Sequence, residues 1–175
     1  MDRRFQKITA ASMLAAMTCI ATMIIKVPTI GTNGYVNIGD AMVLVSAWVM
    51  GNPYGALAAG IGSALADILS GYVSYAPATA VIKFLMAYVA AVICKAASSK
   101  KRSRFAAHIA GSIVAEAIMT AGYFLYESTV LGYGLAASAS IVSNLVQGGV
   151  CMALANAIIQ VLLKIPVIAQ LKDPA

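Results

Sequence analysis

Tyr35-Val-Asn-Ile-Gly-Asp40 opens an apolar run that ends at Asp67, and Ser70-Gly-Tyr-Val-Ser-Tyr-Ala-Pro77 leads from there to Lys83. Two carboxylates and one ammonium thus stand in surroundings apolar enough for a bilayer. A lone charge at membrane depth is costly, so such side chains face a bundle interior or a cavity and find partners. Residues 35–83 therefore read as a polar site held between helices, and the rest of the chain as its scaffold.

Composition agrees. Of 175 residues, 61% are hydrophobic and 10% charged, against about 45–50% and about 25% in soluble domains. A soluble fold of this size could not hide so much apolar surface, so the chain reads as an all-α integral membrane protein. A spanning helix takes about 20 residues, which leaves room for one membrane domain over residues 1–175, a six-transmembrane-helix bundle. The apolar runs place its helices at about 8–25, 38–50, 55–70, 77–97, 105–126 and 135–163. No cleavable secretory signal is evident, so the segment from Ile8 is expected to be retained. Pro77 opens the fourth helix, where its missing N–H costs least. Across the Gly51–Gly55 turn and the third helix, Gly51, Gly55, Ala59 and Ser63 recur every four residues, as do Ala56, Gly60 and Ala64. So little side-chain bulk requires close neighbours.

The net charge is +6, and its cations sit in short clusters between apolar runs. Six crossings would gather the basic N-terminal tail, the Lys100–Arg104 loop and the Lys164/Lys172 end on one side. The other side would receive 26–37, 70–76 and 127–134, whose only cation is Lys26. Positive charge marks the cytoplasmic side, which predicts a multi-pass plasma-membrane protein with both termini cytoplasmic. Such scattered clusters make no nucleic-acid footprint. Cys19, Cys94 and Cys151 lie in or beside apolar runs without CxxC or Cys/His spacing, so they read as packing residues and no metal site is expected. No nucleophile elbow, HExxH, phosphate loop or dinucleotide fingerprint occurs. The single histidine, His108, falls near the cytoplasmic end of the fifth helix. The chain reads as neither an enzyme nor an ATPase, and no cofactor is expected.

With that topology, depths follow from 1.5 Å per residue. Asp40 sits at the outer end of the second helix, Asp67 in the outer part of the third, and Lys83 nearly two turns into the fourth. Glu116 is near the middle of the fifth helix with Tyr123 above it. Asn144 and Gln147 share a face of the sixth, and Asn37 and Tyr75 sit in outer loops. The clustering predicts a cavity open to the outside. The 26–37 loop, with Pro28, Gly31, Asn33, Gly34 and Tyr35, is long and rich in breakers, and reads as a lid. Each residue also has a structural reading. Asp40 suits a helix N-terminus, Asp67 and Lys83 suit an ion pair, and Asn144 and Gln147 suit interhelical hydrogen bonds. The tyrosines suit an interfacial belt, and Trp48 suits packing or the same belt. The sequence leaves open whether Lys83 pairs with Asp67, with Glu116 or with a ligand. On the first helix, Ala11 and Ala15 lie one turn apart beside Ser12 and Ala16, a close-approach face for internal packing or for a membrane partner.

Taken in order, Tyr35–Val43, the Met50-Gly-Asn-Pro-Tyr-Gly-Ala-Leu57 turn, Gly60-Ile-Gly-Ser-Ala-Leu-Ala-Asp67, Tyr75-Ala-Pro77 with Lys83, and Asn144-Leu-Val-Gln-Gly148 resemble the S components of energy-coupling factor (ECF) transporters, in the riboflavin-transporter-like branch. The resemblance covers essentially the whole chain. It implies a prokaryotic six-helix subunit that captures a vitamin or vitamin precursor (of the riboflavin, thiamine-precursor or pyridoxine class) from outside. It implies association with a transmembrane coupling subunit and two cytoplasmic ATPases. It assigns docking to Ala11 and Ala15, gating to the 27–37 loop, and ligand contact chiefly to Lys83, Glu116, Tyr123, Asn144 and Gln147, with Tyr75 and Asn37 from the outer loops. Asp40 and Asp67 become scaffold, with Asp67 near enough in sequence to orient Lys83. The competing reading is a stand-alone secondary transporter coupled to protons or sodium. No convincing internal repeat supports it, and the deep polar residues are skewed outward. A ligand-free assembly factor would leave Lys83, Glu116 and Gln147 unexplained.

Overall fold

A computed structural model describes residues 2–29, 32–97 and 101–165. Among these, six α-helices follow in order: α1 (Arg3–Ile24), α2 (Gly39–Met50), α3 (Tyr54–Leu69), α4 (Ala76–Ala96), α5 (Lys101–Thr129) and α6 (Ser138–Leu162). A short 3-10 turn, Gly134–Ala137, precedes α6. Two strands, β1 (Lys26–Pro28) and β2 (Tyr35–Asn37), pair antiparallel with Pro28 opposite Tyr35. The sequence reading has only a loop there, because three-residue strands are too short to show alternation.

Two helices are longer than the apolar pattern suggests. Asp2 caps α1, its carboxylate accepting the Arg4 backbone N–H at 3.2 Å, so the helix begins within the polar tail rather than at Ile8. The fifth helix continues past Tyr126 to Thr129. That extension carries Glu127, which the sequence reading leaves in a loop, onto a helix face.

Four stretches are long and apolar enough to cross a membrane: Arg4–Ile24, Ala76–Ala96, Arg104–Thr129 and Gly134–Leu162. Their outward faces expose Met13, Ile20, Val81, Ile113, Val142 and Val146, each at least half exposed. Such continuous apolar surface is what lipid accepts and water does not. The remaining helices, α2 and α3, are shorter. Every residue of α2 from Gly39 to Val49 is buried, and it packs against α1, α3, α4 and α6. A helix apolar on all sides must be enclosed, so α2 is the central post of the bundle. Gly51 ends it at φ +63, with its N–H returned to the Ala47 carbonyl; that left-handed backbone favours glycine.

The small-residue face of α3 packs as its composition requires. A Cβ on Gly55 would lie 2.3 Å from the Ser46 carbonyl oxygen of α2, and one on Gly62 would lie 2.3 Å from the Ala15 carbonyl oxygen of α1. Helix backbones approach this closely only where side chains are absent.

Three connections meet at one end of the bundle. Tyr126 donates its hydroxyl to the Ser74 carbonyl, Tyr75 donates to Glu127 at 3.1 Å, and the Tyr35 and Tyr72 rings lie 4.5 Å apart. The hairpin, the 70–75 loop and the approach to α6 therefore share a side, as loop charge requires. Lys100 and Lys172, which help mark the opposite side in sequence, lie outside the described residues.

Replacing Gly62 with alanine pushes α1 off α3, at a cost of about 1–3 kcal/mol for overpacking. The same change at Gly149, where a Cβ meets nothing within 4 Å, is neutral. Thermal unfolding of the two purified variants in detergent checks this. Equal melting temperatures would refute the close-approach account.

Candidate functional site

The site starts from one buried charge. Asp40 lies in the first turn of α2 and is fully buried. Lys83 reaches it from α4, Nζ to Oδ1, as an ion pair with both side chains almost completely enclosed. Gln147 of α6 donates its Nε2 to the other carboxylate oxygen. Its Oε1 accepts the backbone N–H of Asn37 at 2.6 Å. A buried ion pair is tolerated when its remaining lone pairs are filled, and here both oxygens of Asp40 have a donor. The Tyr123 ring covers Nζ at 5.2 Å, a cation–π contact.

This settles one point that the sequence leaves open and corrects one expectation. The partner of Lys83, which the sequence leaves open among Asp67, Glu116 and a ligand, is Asp40, because the first turn of α2 lies between α4 and α6. Asp40 does not cap its helix, since its carboxylate points across the bundle. The Asn37 side chain takes the capping role, accepting the Gly39 N–H at 2.8 Å.

Asp67 instead holds the hairpin. Tyr35, on β2, donates its hydroxyl to Asp67 Oδ1 at 2.6 Å. Burial, and then the charge of Asp67, push the Tyr35 phenol well above its ordinary value, so it remains a donor. A second tyrosine–carboxylate pair lies beside it. Glu127 is buried and accepts from Tyr75 and from the Ser140 hydroxyl. Gly34 is seated in that corner: a Cβ there would be 3.2 Å from Glu127 Oε1 and 3.4 Å from the Tyr75 hydroxyl. Of the other lid residues, Asn33 is exposed at the tip, Pro28 sits in the hairpin ladder, and Gly31 lies outside the described residues.

Asn37, Tyr75, Lys83, Tyr123, Asn144 and Gln147 line one cavity beneath the hairpin. Glu116 is not among its walls. It lies deeper, between α5 and α6, where Gly148 makes room for it. Asp67 joins the walls, as do Thr79 and Glu127, which the sequence reading does not single out. Thr79 carried a signal: it stands one turn before Lys83 on the same face, and it hydrogen-bonds Tyr123 at 2.9 Å. Glu127 follows Tyr123 by four residues but is legible only once α5 is known to continue. The walls close on a cavity of about 20 Å³, room for little more than a water molecule. Neither a metal cluster of three or more acidic, histidine or cysteine side chains nor a disulfide is formed among the described residues. Ala11 and Ala15 are half-buried, the Ala15 carbonyl lying against Gly62 of α3, whereas Ser12 and Ala16 are exposed.

A buried post, a small polar cavity at one end and a hairpin across its mouth define the helical bundle. The same fold occurs in a solved S component of a bacterial ECF transporter, with a TM-score of 0.67 over 93% of this chain and 98% of that one, at 18% identity. The family described as the ECF-type riboflavin transporter, S component, matches residues 3–173, and the chain belongs to that family. An uncharacterized protein in the gap 3′ region of Pyrococcus woesei is 32% identical over 107 residues, 61% of this chain and 72% of that protein.

Replacing Lys83 with methionine strands the Asp40 carboxylate and costs about 3–5 kcal/mol. The double replacement of Lys83 by Met and Asp40 by Asn recovers most of that loss. Thermal unfolding across the double-mutant cycle measures the coupling; additive effects would show that the pair is not linked.

Proposed function

We propose that the chain is the vitamin-capturing subunit of an ATP-driven importer in the plasma membrane, and that its ligand is riboflavin. The observation that carries this reading is the cavity wall. Tyrosines 35, 75 and 123 offer aromatic faces and Asn144 offers an amide edge, while Gln147 is held by Asp40 and Asn37. Lys83 is already neutralised by Asp40. Such walls suit an uncharged, flat, polar-edged molecule: rings stack on the flat part, and amides and hydroxyls bond its edge. A flavin with its hydroxylated chain has that chemistry. The family description supports the same substrate.

Capture proceeds through the hairpin. The cavity is far too small for a vitamin while Tyr35 is bonded to Asp67. Entry therefore requires the hairpin to swing out, breaking the Tyr35–Asp67 bond and lifting Gly34 from its corner. Rebonding over the ligand sets its residence time. In this reading the hairpin end faces outside and both termini face the cytoplasm. Docking to a transmembrane coupling subunit uses the small residues of α1, Ala11 and Ala15 with the exposed Ser12 and Ala16. ATP hydrolysis belongs to two cytoplasmic partners, since this sequence carries no phosphate-binding loop.

Titrating the purified protein with riboflavin is expected to quench flavin fluorescence and to raise the melting temperature by several degrees, whereas thiamine and pyridoxine leave it unchanged. Stabilisation by one of those instead would reassign the ligand. No response to any of the three at saturation would end the vitamin reading. Replacing Tyr35 with phenylalanine removes a bond to a carboxylate worth about 1.5–3 kcal/mol. Riboflavin dissociation, followed by stopped flow, is then expected to speed up at least tenfold, and an unchanged off-rate would remove Tyr35 from the lid.

A further inference from the structure

The cavity beneath the hairpin has two unlike sides. On the α4–α5 side stand rings: Tyr75 and Tyr123, with centroids 6.4 Å apart. On the α1–α3 side stand Thr22, Ser63 and Asp67, which bring oxygens and no ring. Ser63 and Asp67 are four residues apart on α3 and share a face, and both line the cavity.

Part of the oxygen side is unspent. Tyr35 occupies Asp67 Oδ1. The other oxygen, Oδ2, is buried without a hydrogen-bond partner among the described residues, and so is Ser63 Oγ. Asp67 is 3% exposed and Ser63 1%. Thr79 stands beside Asp67, with its hydroxyl bonded to that of Tyr123. Neither nearby cation pairs with Asp67: Lys83 is committed to Asp40, and Lys26 lies exposed over the Tyr35 ring, 5.8 Å from its centroid. Buried acceptors left without donors are costly to the free protein, and a ligand that brings donors recovers the cost. A carboxylate oxygen makes its strongest bonds to O–H and N–H groups and repels a second anion.

We propose that the Ser63–Asp67 face of α3 is the subsite for the hydroxylated side chain of the ligand, and that Asp67 selects the free polyol over its phosphate ester. Asp67 Oδ2 accepts one chain hydroxyl and Ser63 Oγ bonds another. Four residues of helix rise about 6 Å, a span that a chain of several hydroxylated carbons covers. The ring system then lies across the cavity against Tyr75 and Tyr123. A phosphate in place of the terminal hydroxyl meets a carboxylate, with Lys83 already neutralised. A ligand without the chain leaves both α3 groups unpaired, which is how a site built for hydroxyls rejects an analogue that lacks them. This inference rests on the reading of the chain as a riboflavin importer, and deepens it by assigning each end of the flavin to one side of the cavity.

The test compares three flavins: riboflavin, lumiflavin, which lacks the hydroxylated chain, and flavin mononucleotide, the phosphate ester. Dissociation constants are read from flavin fluorescence with the purified chain in detergent. The unmodified protein is expected to bind riboflavin at least tenfold more tightly than either analogue. Asp67→Asn keeps an oxygen for Tyr35 but puts a donor where the free acceptor was. It is expected to cut both preferences at least fivefold. The ratios are the readout, because a weaker Tyr35 bond loosens every flavin alike. Tyr35→Phe, the control, is expected to weaken all three and leave both ratios within twofold. Ser63→Ala changes no charge; it is expected to cut the preference over lumiflavin at least threefold and to leave the preference over the mononucleotide within twofold. Should Asp67→Asn not fold, Ser63→Ala decides. Ratios unmoved in the deciding variant overturn the subsite, as does an unmodified protein that binds the mononucleotide as tightly as riboflavin. An unmodified protein that binds no riboflavin overturns the importer reading, and the subsite with it.

Discussion

The bundle depends on a carboxylate that has no business at the top of a buried apolar helix. Asp40 begins α2, whose every following residue to Val49 is enclosed. Left alone, its charge would expel the helix from the interior. Three elements converge to keep it: α4 brings Lys83, α6 brings Gln147, and through Gln147 the β2 backbone at Asn37 is tied in. The relative positions of four segments are thus set by where one charge can be satisfied. Apolar contacts among helices in lipid are weakly specific, because lipid chains compete equally well. A satisfied ion pair has few alternative arrangements, so it supplies the register that apolar packing lacks.

The hairpin end is built on the same logic with weaker parts. Tyr35 and Tyr75 give neutral hydroxyls to Asp67 and Glu127. The first bond ties the hairpin to α3 without opposing charges, and the second braces the corner in which Gly34 sits. The hairpin also touches the ion pair, through Asn37 and Gln147. A displaced β2 pulls on the residue that helps to neutralise Asp40. Hairpin position and charge satisfaction at the cavity floor therefore share a single amide side chain.

Much of this was legible in the sequence. Charges at depth announced an interior site, and the loop asymmetry placed three connections on one side. The four-residue repeat of small residues foretold the close approach at Gly55 and Gly62. What stayed hidden depended on tertiary placement. Sixteen positions separate Asp67 from Lys83 and forty-three separate Asp40 from it, so proximity along the chain favoured the wrong carboxylate. Glu127 was concealed by a helix that outlasts its apolar pattern. The level of Glu116, one step beneath the cavity, needed the antiparallel pairing of α5 with α6, which no local signal encodes.

The enclosure of α2 bears on how the chain is made. Its 12 residues span about 18 Å, too little to cross the hydrocarbon alone. It must enter the bilayer coupled to α3 through the tight Gly51–Pro53 turn, as one helical hairpin. Asp40 is then translated 43 positions before Lys83 and 107 before Gln147. Throughout that interval its charge is uncompensated by the groups that later hold it. During biogenesis the α2–α3 hairpin therefore waits at the membrane surface or beside the insertion machinery. It settles into the centre only when α4 arrives, and is secured when α6, the last of the described helices, closes around it.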